Sequence, residues 1–134
     1  MLRRTLLTGA LGAAIFVAAP VIASEETTQY MPGDIQTALA KGDTVFVDYY
    51  TTWCGTCKRQ ERVVESLRTA DPAYNKAMTF IQVDWDVYSS HEVSTSRNIP
   101  RRSTLLVLKG DQELGRIVAG TSEADIKALM DKGL

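Results

Sequence analysis

The chain has 134 residues, of which 45% are hydrophobic and 23% are charged, a composition typical of one globular domain. Its 15 lysines and arginines stand against 16 aspartates and glutamates, which gives a formal net charge of -1. This balance excludes the strongly basic surface of a nucleic-acid-binding domain, so no nucleic-acid partner is expected.

The N-terminal segment has the pattern that directs export. Arg3 and Arg4 supply a positive start, an apolar stretch follows, and small residues end the segment at Ala23. We interpret residues 1–23 as a signal peptide cleaved near Ala23, which leaves residues 24–134 as the mature domain. An uncleaved membrane anchor is the alternative, although the apolar stretch is shorter than the ~20 residues that a spanning helix needs. The arginine pair also admits twin-arginine export.

Helical and strand patterns alternate through the first half of the mature domain. Residues 33–41 have apolar side chains at helical spacing, and Gly42 after them favours a helix end. Residues 45–50 form a nearly continuous β-branched and aromatic run, which predicts a strand buried on both faces. From Cys54 the apolar residues recur at helical spacing until Pro72, so the sequence predicts a helix that opens at Cys54.

The second half of the domain predicts three more strands and a final helix. Residues 78–83 form an apolar run that ends in acidic residues, and a weakly patterned helix is expected around residues 89–96. Residues 104–108 and 113–119 predict the two strands of a hairpin. Ser122 is placed to cap the last helix.

This order of elements predicts an α/β fold in which helices flank a central mixed β-sheet with one antiparallel pair. In such sheets, ligands bind at the carboxyl ends of the strands. Cys54 and Cys57 lie at such an end.

Cys54 and Cys57 are the only two cysteines of the chain and stand one helical turn apart. The free amide groups and the positive dipole end at a helix start stabilise a thiolate, which is the form that attacks a disulfide. The pattern predicts thiol-disulfide exchange, with Cys54, the more exposed thiol, as nucleophile and Cys57 as the resolving thiol. The alternative is a structural disulfide, but closing so short a loop removes little entropy from the unfolded chain.

The residues alone predict no metal site and no cofactor. Two cysteines supply half of a four-ligand zinc set, and the single histidine, His91, lies in a polar segment where we expect a solvated surface side chain. The sequence has no nucleotide, flavin or phosphate-binding motif, so the electrons are expected to come from another protein.

Four segments in this order carry a family resemblance: residues 45–58, residues 83–86, residues 97–110, and Gly120 with the final helix. Together they resemble the thioredoxin family, and the cysteine motif is the most specific of the four. The resemblance implies a thioredoxin-like fold with a central mixed β-sheet flanked by helices.

The same resemblance implies the catalytic residues. Cys54 attacks, Cys57 resolves, Trp53 flanks the reactive thiol, and Asp48 on the preceding strand assists proton transfer. Asp48 interrupts an apolar strand, and burial without a cation raises the pKa of a carboxylate, which would let it carry the proton of Cys57. A carboxylate on a solvent-facing side of the strand is the alternative.

The sequence departs from the family at one position. Thioredoxin-like proteins have a cis-proline opposite the cysteine pair, and an alignment without gaps puts Ser103 there. Pro100 becomes the counterpart only if three residues are inserted before the following strand. A cis bond costs ~3 to 4 kcal/mol without proline, so the Arg102–Ser103 bond is expected to be trans, or strained for function.

The family geometry also implies roles for the residues around the pair. They are Trp53, Arg102, Ser103 and Thr104 for substrate binding, and Lys58 and Arg101 for tuning the thiolate. The basic residues would depress the pKa of Cys54 and favour acidic or anionic partners.

The function implied is that of a periplasmic thiol-disulfide oxidoreductase that reduces protein disulfides. Gly55 and Thr56 between the cysteines resemble the reducing members of the family, and the segment after the motif is similar to the electron-relaying domains of bacterial periplasmic reductases. A membrane or periplasmic redox partner would supply electrons to a soluble monomer. Two alternatives remain: a metal or iron-sulfur cluster shared between two chains at the more open Ser103 site, and a module that binds thiol-bearing clients without turnover.

Overall fold

The computed structural model describes residues 12–17 and 26–134. Residues 12–17 have no regular secondary structure and are exposed. Residues 1–11 and 18–23 of the predicted signal peptide, with the cleavage site near Ala23, lie outside the described residues, so the signal peptide and its cleavage stay predictions. In the two described ranges no helix is both long enough and apolar enough to cross a membrane.

Five strands form one mixed sheet in the order β1-β3-β2-β4-β5, with β1, β2 and β3 parallel and β4 antiparallel to both β2 and β5. In chain order the elements are β1 (Thr28–Gln29), α1 (Asp34–Ala40), β2 (Thr44–Tyr50), α2 (Gly55–Ala70), α3 (Ala73–Ala77), β3 (Met78–Asp84), α4 (Trp85–Tyr88), α5 (Glu92–Thr95), β4 (Thr104–Lys109), β5 (Gln112–Val118) and α6 (Glu123–Asp131). The predicted α/β fold with a central mixed sheet is confirmed.

Strand β2 lies at the centre of the sheet, and both of its faces are buried, as predicted. Val45 and Val47 belong to one core cluster with side chains from α1, α4 and α5. Phe46 belongs to a second cluster with side chains from α2, α3 and α6. Helices therefore cover both faces of the sheet, and the strand that leads into the cysteine motif is fixed between two hydrophobic cores.

Helix α2 begins immediately after Cys54 and ends at Ala70, before Pro72. Cys54 is its N-cap residue, with an extended backbone (φ -84°, ψ 115°). The apolar side chains of Val64 and Leu67 are buried against the sheet. The prediction that a helix opens at Cys54 is confirmed, and the packed face of α2 holds its N-terminus against the end of β2.

Two short elements and one helix differ from the predictions. Strand β1 has two residues and helix α3 has five, and neither is long enough to show a hydrophobic period. The helix expected around residues 89–96 is only the four-residue α5, and a separate four-residue helix, α4, precedes that range. Strand β1 exists because β3 offers it a partner through the pairing of Thr28 with Ile81, a contact that no local pattern indicates.

The prediction that His91 is a solvated surface residue was wrong, because its side chain is half-buried. Its Nδ1 accepts the backbone N–H of Val93 at 3.1 Å and caps α5. Its ring centroid lies 5.4 Å from that of Tyr88 and 6.2 Å from that of Tyr30. His91 therefore closes a small aromatic cluster, one member of which comes from a distant part of the sequence.

Candidate active site

The two cysteines lie where β2 ends and α2 begins. The Cys54 Sγ accepts the backbone N–H of Cys57 at 3.2 Å, which satisfies one of the free amide groups at the helix start. Both residues are free thiols, and both are buried, with Cys54 4% and Cys57 2% exposed. Cys54 is the more exposed of the two residues, as expected, but the difference is small and both are buried.

Hydrogen bonds around Cys54 favour its thiolate. Burial raises the pKa of this thiol, but hydrogen bonds from the Cys57 side chain, the Ser103 hydroxyl, the Cys57 backbone N–H and the Arg102 guanidinium outweigh burial and lower the pKa to about 6. At pH 7 Cys54 is therefore mainly a thiolate, the form that attacks disulfides.

Cys57 has the opposite preference. Burial, and the hydrogen bond that its thiol makes to Cys54, raise the pKa of Cys57. At neutral pH the pair therefore holds one proton, and Cys57 carries it. This division suits a nucleophile and a resolving thiol, because Cys57 becomes reactive only when its proton is removed.

Ser103 contacts both sulfurs from the opposite side of the site. Its Oγ lies 3.2 Å from the Cys54 Sγ and 3.0 Å from the Cys57 Sγ, and the residue is fully buried. Because a thiolate can only accept a hydrogen bond, both the Ser103 hydroxyl and the Cys57 thiol donate to the Cys54 sulfur. These contacts place Ser103, rather than Pro100, opposite the pair.

The backbone at Ser103 takes a conformation that serine seldom adopts. The Arg102–Ser103 peptide bond is trans, and the φ angle of Ser103 is +61°, in the left-handed region. Its N–H donates to the Tyr49 carbonyl at 2.7 Å, and its carbonyl accepts the Ala119 N–H at 2.8 Å. The hydroxyl is thus aimed at the sulfurs by a backbone that is held at both ends.

Gln60 is a positioning residue that sequence reasoning missed. It is fully buried on α2, and its Nε2 donates to the Ser103 carbonyl at 3.0 Å and to the Gly120 carbonyl at 2.9 Å. The signal was present, since Gln60 stands four residues before the buried Val64, where the helical pattern calls for an apolar residue. A polar side chain at such a position needs buried hydrogen-bond partners.

The exposed Trp53 and the half-buried Arg102 lie side by side near the thiols. The indole Nε1–H of Trp53 donates to the Asp86 carboxylate at 2.8 Å, and the Arg102 guanidinium carbon lies 4.2 Å from the centroid of the Trp53 rings. Trp53 is nevertheless 59% exposed, so it is held in place without being covered. Asp86 was not predicted as a site residue, although it belongs to the acidic strand end that the sequence shows.

Asp48 is buried on β2, only 6% exposed. Its pKa is raised to about 7, chiefly by burial; the hydrogen bond from the Gln82 side chain opposes this rise, and the negative charges of Glu61 and Cys54 contribute to it. The Gln82 Nε2 lies 3.4 Å from the Asp48 Oδ2, and the Asp48 Oδ1 has no hydrogen-bond partner. The alternative of a solvent-facing carboxylate is excluded, and the role of Asp48 in proton transfer stays a prediction.

Three further residues were predicted for the site: Lys58, Arg101 and Thr104. Lys58 and Arg101 are exposed, and the Arg101 Nε donates to the Arg102 carbonyl at 3.0 Å. Thr104 is fully buried, and its hydroxyl donates to the Arg101 carbonyl at 2.7 Å. Thr104 thus braces the loop that carries Arg102. The predicted roles of Lys58, Arg101 and Thr104 in tuning and binding stay predictions.

In residues 12–17 and 26–134 no group of three or more histidine, cysteine or acidic side chains is placed to hold a metal ion. The alternative of an iron-sulfur cluster draws two thiolates from each of two chains. It needs a second copy of the chain and stays a hypothesis.

The mixed sheet, the Cys-x-x-Cys pair at a helix start and the unequal affinities of the two sulfurs for a proton define a dithiol protein that exchanges electrons with disulfides. Residues 26–132 match the family model described as Thioredoxin. The chain belongs to the thioredoxin family and is a thiol-disulfide oxidoreductase.

Curated relatives and solved structures agree with this assignment. The chain is 30% identical to the thioredoxin of Echinococcus granulosus over 107 residues, which cover 79% of this chain and 94% of the relative. It is 35% identical to thioredoxin-2 of Saccharomyces cerevisiae over 95 residues, covering 70% and 85% of the two chains. The crystal structure of Trxlp from Edwardsiella tarda matches with a TM-score of 0.67 at 30% identity, covering 78% of this chain and 98% of that one.

Proposed function

We propose that this protein is an exported reductant of protein disulfides. The observation that carries the proposal is the pairing of a Cys54 thiolate, whose pKa is about 6, with a protonated Cys57 beside it. The Cys54 thiolate attacks a substrate disulfide to form a mixed disulfide, and Cys57 then displaces the substrate as a thiol. The products are the reduced substrate and the oxidised Cys54–Cys57 pair.

The surface around the thiols supports a protein substrate with acidic or anionic character. Trp53 is exposed beside the nucleophile and carries the Arg102 guanidinium on its ring. Exposed basic residues extend this surface: Lys58, Arg59, Arg62 and Arg101. A positive rim raises the local concentration of anionic partners and their rate of association.

The N-terminal sequence supports export to the periplasm. Arg3 and Arg4, the apolar stretch and the small residues before Ser24 have the order of a cleaved signal peptide. The oxidised pair must be reduced again, and the sequence has no nucleotide or flavin motif for the purpose. A membrane or periplasmic redox protein is therefore proposed as the electron donor, with the mature domain acting as a soluble monomer.

Insulin reduction tests the activity. The mature domain with excess dithiothreitol should precipitate the insulin B chain faster than dithiothreitol alone, and the Cys54→Ser variant should match the uncatalysed rate. Related folds have reduction potentials from about -270 mV to about -120 mV, and a reductant should lie near the lower end. No acceleration, or a potential near the upper end, contradicts the proposal, and stoichiometric binding of reduced insulin without turnover would favour the client-binding alternative.

A trapping experiment tests location and partners together. Cys57→Ala, expressed with its native N-terminus, should leave substrates disulfide-linked to Cys54, because the resolving thiol is absent. The matched control is Cys54→Ala with Cys57→Ala, which can trap nothing. Recovery of linked proteins in the periplasmic fraction, with the mature chain beginning near Ser24, supports the proposal. Retention of residues 1–23 in a membrane fraction would favour the anchor.

A further inference from the structure

The Ser103 hydroxyl contacts the cysteine pair in its reduced form. Both cysteines are free thiols, and the Ser103 Oγ lies 3.2 Å from the Cys54 Sγ and 3.0 Å from the Cys57 Sγ. Ser103 is fully buried, so its hydroxyl cannot turn to solvent for another partner. In the part of the chain that the structure describes, the hydrogen bonds of this hydroxyl go to the two sulfurs.

The backbone at Ser103 has a conformation that suits glycine better than serine. Its φ angle of +61° lies in the left-handed region, where glycine is not strained and serine is. The loop is held there by the hydrogen bond from the Ser103 N–H to the Tyr49 carbonyl. Ala119 and Gln60 hold the Ser103 carbonyl. A strained residue held against the reactive atoms indicates that its side chain has a function.

Oxidation of the pair removes the charge to which the hydroxyl donates. In the reduced pair the hydroxyl donates to the Cys54 thiolate, and hydrogen bonds to ionised acceptors are about twice as strong as those to neutral ones. A disulfide sulfur has no charge and is a weak acceptor. Because the loop is held by hydrogen bonds that do not involve the sulfurs, the hydroxyl stays beside them as a buried donor with a poor partner. The hydroxyl therefore stabilises the reduced form more than the oxidised form.

We propose that the Ser103 hydroxyl raises the reduction potential of the Cys54–Cys57 pair by stabilising its reduced form. This inference rests on the proposed function, because it concerns the couple that reduces the substrate. A higher potential makes the pair easier for its electron donor to reduce, and it restricts the substrates to disulfides whose potentials lie higher still. This role differs from the substrate-binding role that the family resemblance implies for Ser103.

The redox step balances with glutathione as the reference couple. One Cys54–Cys57 disulfide and two glutathione thiols give the reduced pair and one glutathione disulfide, with two electrons passing from glutathione to the protein. The two thiols also bring two protons. At neutral pH one of them stays on Cys57 and the other is released to solvent, because Cys54 is a thiolate. The Ser103 hydroxyl keeps its own proton throughout.

The effect of the hydroxyl should depend on pH, because the hydroxyl acts on the thiolate. The pKa of Cys54 is about 6, and the Ser103 hydrogen bond is one of the contacts that lower it. Above this pH the reduced pair carries the charge that the hydroxyl stabilises, and well below it Cys54 is protonated and the advantage is lost. The other groups that act on Cys54 are Cys57, Arg102 and Asp48, and every variant compared below retains them.

Equilibration with glutathione tests the inference. The wild type, Ser103→Ala and Ser103→Gly are incubated at pH 5 and pH 8 in buffers of graded thiol-to-disulfide ratio, starting from both the oxidised and the reduced protein. Acid quenching, thiol labelling and mass spectrometry give the reduced fraction. Ser103→Gly removes the hydroxyl and suits the left-handed backbone. The matched control is Ser94→Ala, because Ser94 is also a buried serine but lies on α5.

Loss of the hydroxyl should make the pair harder to reduce at pH 8. The equilibrium constant for reduction by glutathione should fall roughly tenfold in Ser103→Ala and Ser103→Gly, the effect of one hydrogen bond to a charged group. This corresponds to a potential lower by about 30 mV for a two-electron couple. At pH 5 these variants and the wild type should agree within about twofold. Ser94→Ala should match the wild type at both pH values.

The alkylation of Cys54 gives a second readout. Its pH midpoint should rise by about one pH unit in Ser103→Ala and Ser103→Gly, because the hydrogen bond that favours the thiolate over the disulfide also favours it over the thiol. A role of Ser103 in the loop backbone alone would leave this midpoint unchanged. Circular dichroism checks the folding of each variant, and Ser103→Gly carries the test if Ser103→Ala does not fold.

Three results would overturn the inference. They are an unchanged equilibrium constant in the variants without the hydroxyl at pH 8, a change of the same size at pH 5 and pH 8, and an equal change in Ser94→Ala. None of them depends on a protein substrate. Failure of the wild type to reduce insulin would instead contradict the proposed function, while its equilibrium with glutathione would still measure the effect of Ser103.

Discussion

The side-chain amide of Gln60 donates a hydrogen bond of 3.0 Å to the carbonyl of Ser103, and so ties helix α2 to the loop opposite the cysteines. The two residues are 43 positions apart in the sequence. Because α2 carries Cys57 and the loop carries the hydroxyl, this bond fixes the distance between the reactive sulfurs and the group that hydrogen-bonds to them. The arrangement of the site therefore depends on a buried residue that touches no sulfur.

Replacing Gln60 by methionine tests this dependence. Gln60→Met keeps an unbranched buried side chain but removes the donor to the Ser103 and Gly120 carbonyls. The Gln60 Oε1 is itself buried without a partner, so its removal offsets part of the loss. We expect the free energy of unfolding in urea to fall by about 1–2 kcal/mol. The pH midpoint for alkylation of Cys54 should also rise, because the Ser103 hydroxyl is less firmly held.

The control for this variant is Gln36→Met, which alters an exposed glutamine on α1. It should change the free energy of unfolding by less than about 0.5 kcal/mol and leave the alkylation midpoint unchanged. If Gln60→Met loses stability but keeps the wild-type midpoint, Gln60 supports the fold and not the position of Ser103.

The reactivity of Cys54 should follow the ionisation of its thiol. The rate of alkylation by iodoacetamide should rise with pH around a midpoint of about 6 and level off above it, since only the thiolate reacts. Cys57 should be alkylated more slowly, because its pKa is raised and its sulfur is buried. Mass spectrometry of peptides after short exposure distinguishes the two sites. A midpoint near that of a free thiol would show that the hydrogen bonds around Cys54 do not stabilise its thiolate.

Arg102 and Arg101 are adjacent arginines with different expected effects. The Arg102 guanidinium lowers the pKa of Cys54 and lies over the Trp53 ring, whereas Arg101 is exposed and bonds to the backbone of Arg102. Arg102→Ala should raise the pKa of Cys54 and lower the alkylation rate at pH 6 by about two- to fivefold, as expected for a solvent-screened charge. Arg101→Ala is the matched control and should have little effect on that rate. Equal effects of the two substitutions would assign the tuning to the net charge of the rim.

Much of the fold and the reactive cysteine pair could be predicted from local sequence patterns, because each of these features depends on a short stretch of the chain. The run of residues 45–50 fits a strand buried on both faces, and the change of period at Cys54 marks the start of α2. Ser103 was placed opposite the pair only through a family resemblance, since it lies 49 positions after Cys54 in the sequence.

What could not be predicted depends on contacts between distant segments. Strand β1 has too few residues for a period and exists through its pairing with β3. The sequence shows Gln60 only as a polar residue on a helix, and its role depends on the Ser103 carbonyl, which lies in a distant segment. The family resemblance implies that Asp48 is buried, but it does not indicate that Asp48 hydrogen-bonds to Gln82 and not to either sulfur. Long-range packing overrides local pattern in each case.

Asp48 makes the stability of the reduced protein depend on pH. Burial raises the pKa of Asp48 from 3.8 to about 7, so the native state holds a proton that the unfolded state releases. The free energy of unfolding should therefore fall as the pH rises from about 4 to about 7, and the loss should persist above that range. A shift of this size corresponds to at most about 4 kcal/mol.

Asp48→Asn removes this titration and should be more stable than the wild type at pH 8, with the difference shrinking toward pH 4. Urea unfolding of both proteins, kept reduced, at intervals between pH 4 and pH 8 measures it. Other groups titrate in both proteins, so their contributions cancel in the difference. Asp111→Asn, which removes an exposed carboxylate in the turn between β4 and β5, controls for the loss of one negative charge. A difference between Asp48→Asn and the wild type that stays constant with pH would mean that Asp48 is ionised in the native state over this range, and that its burial does not hold a proton in the site.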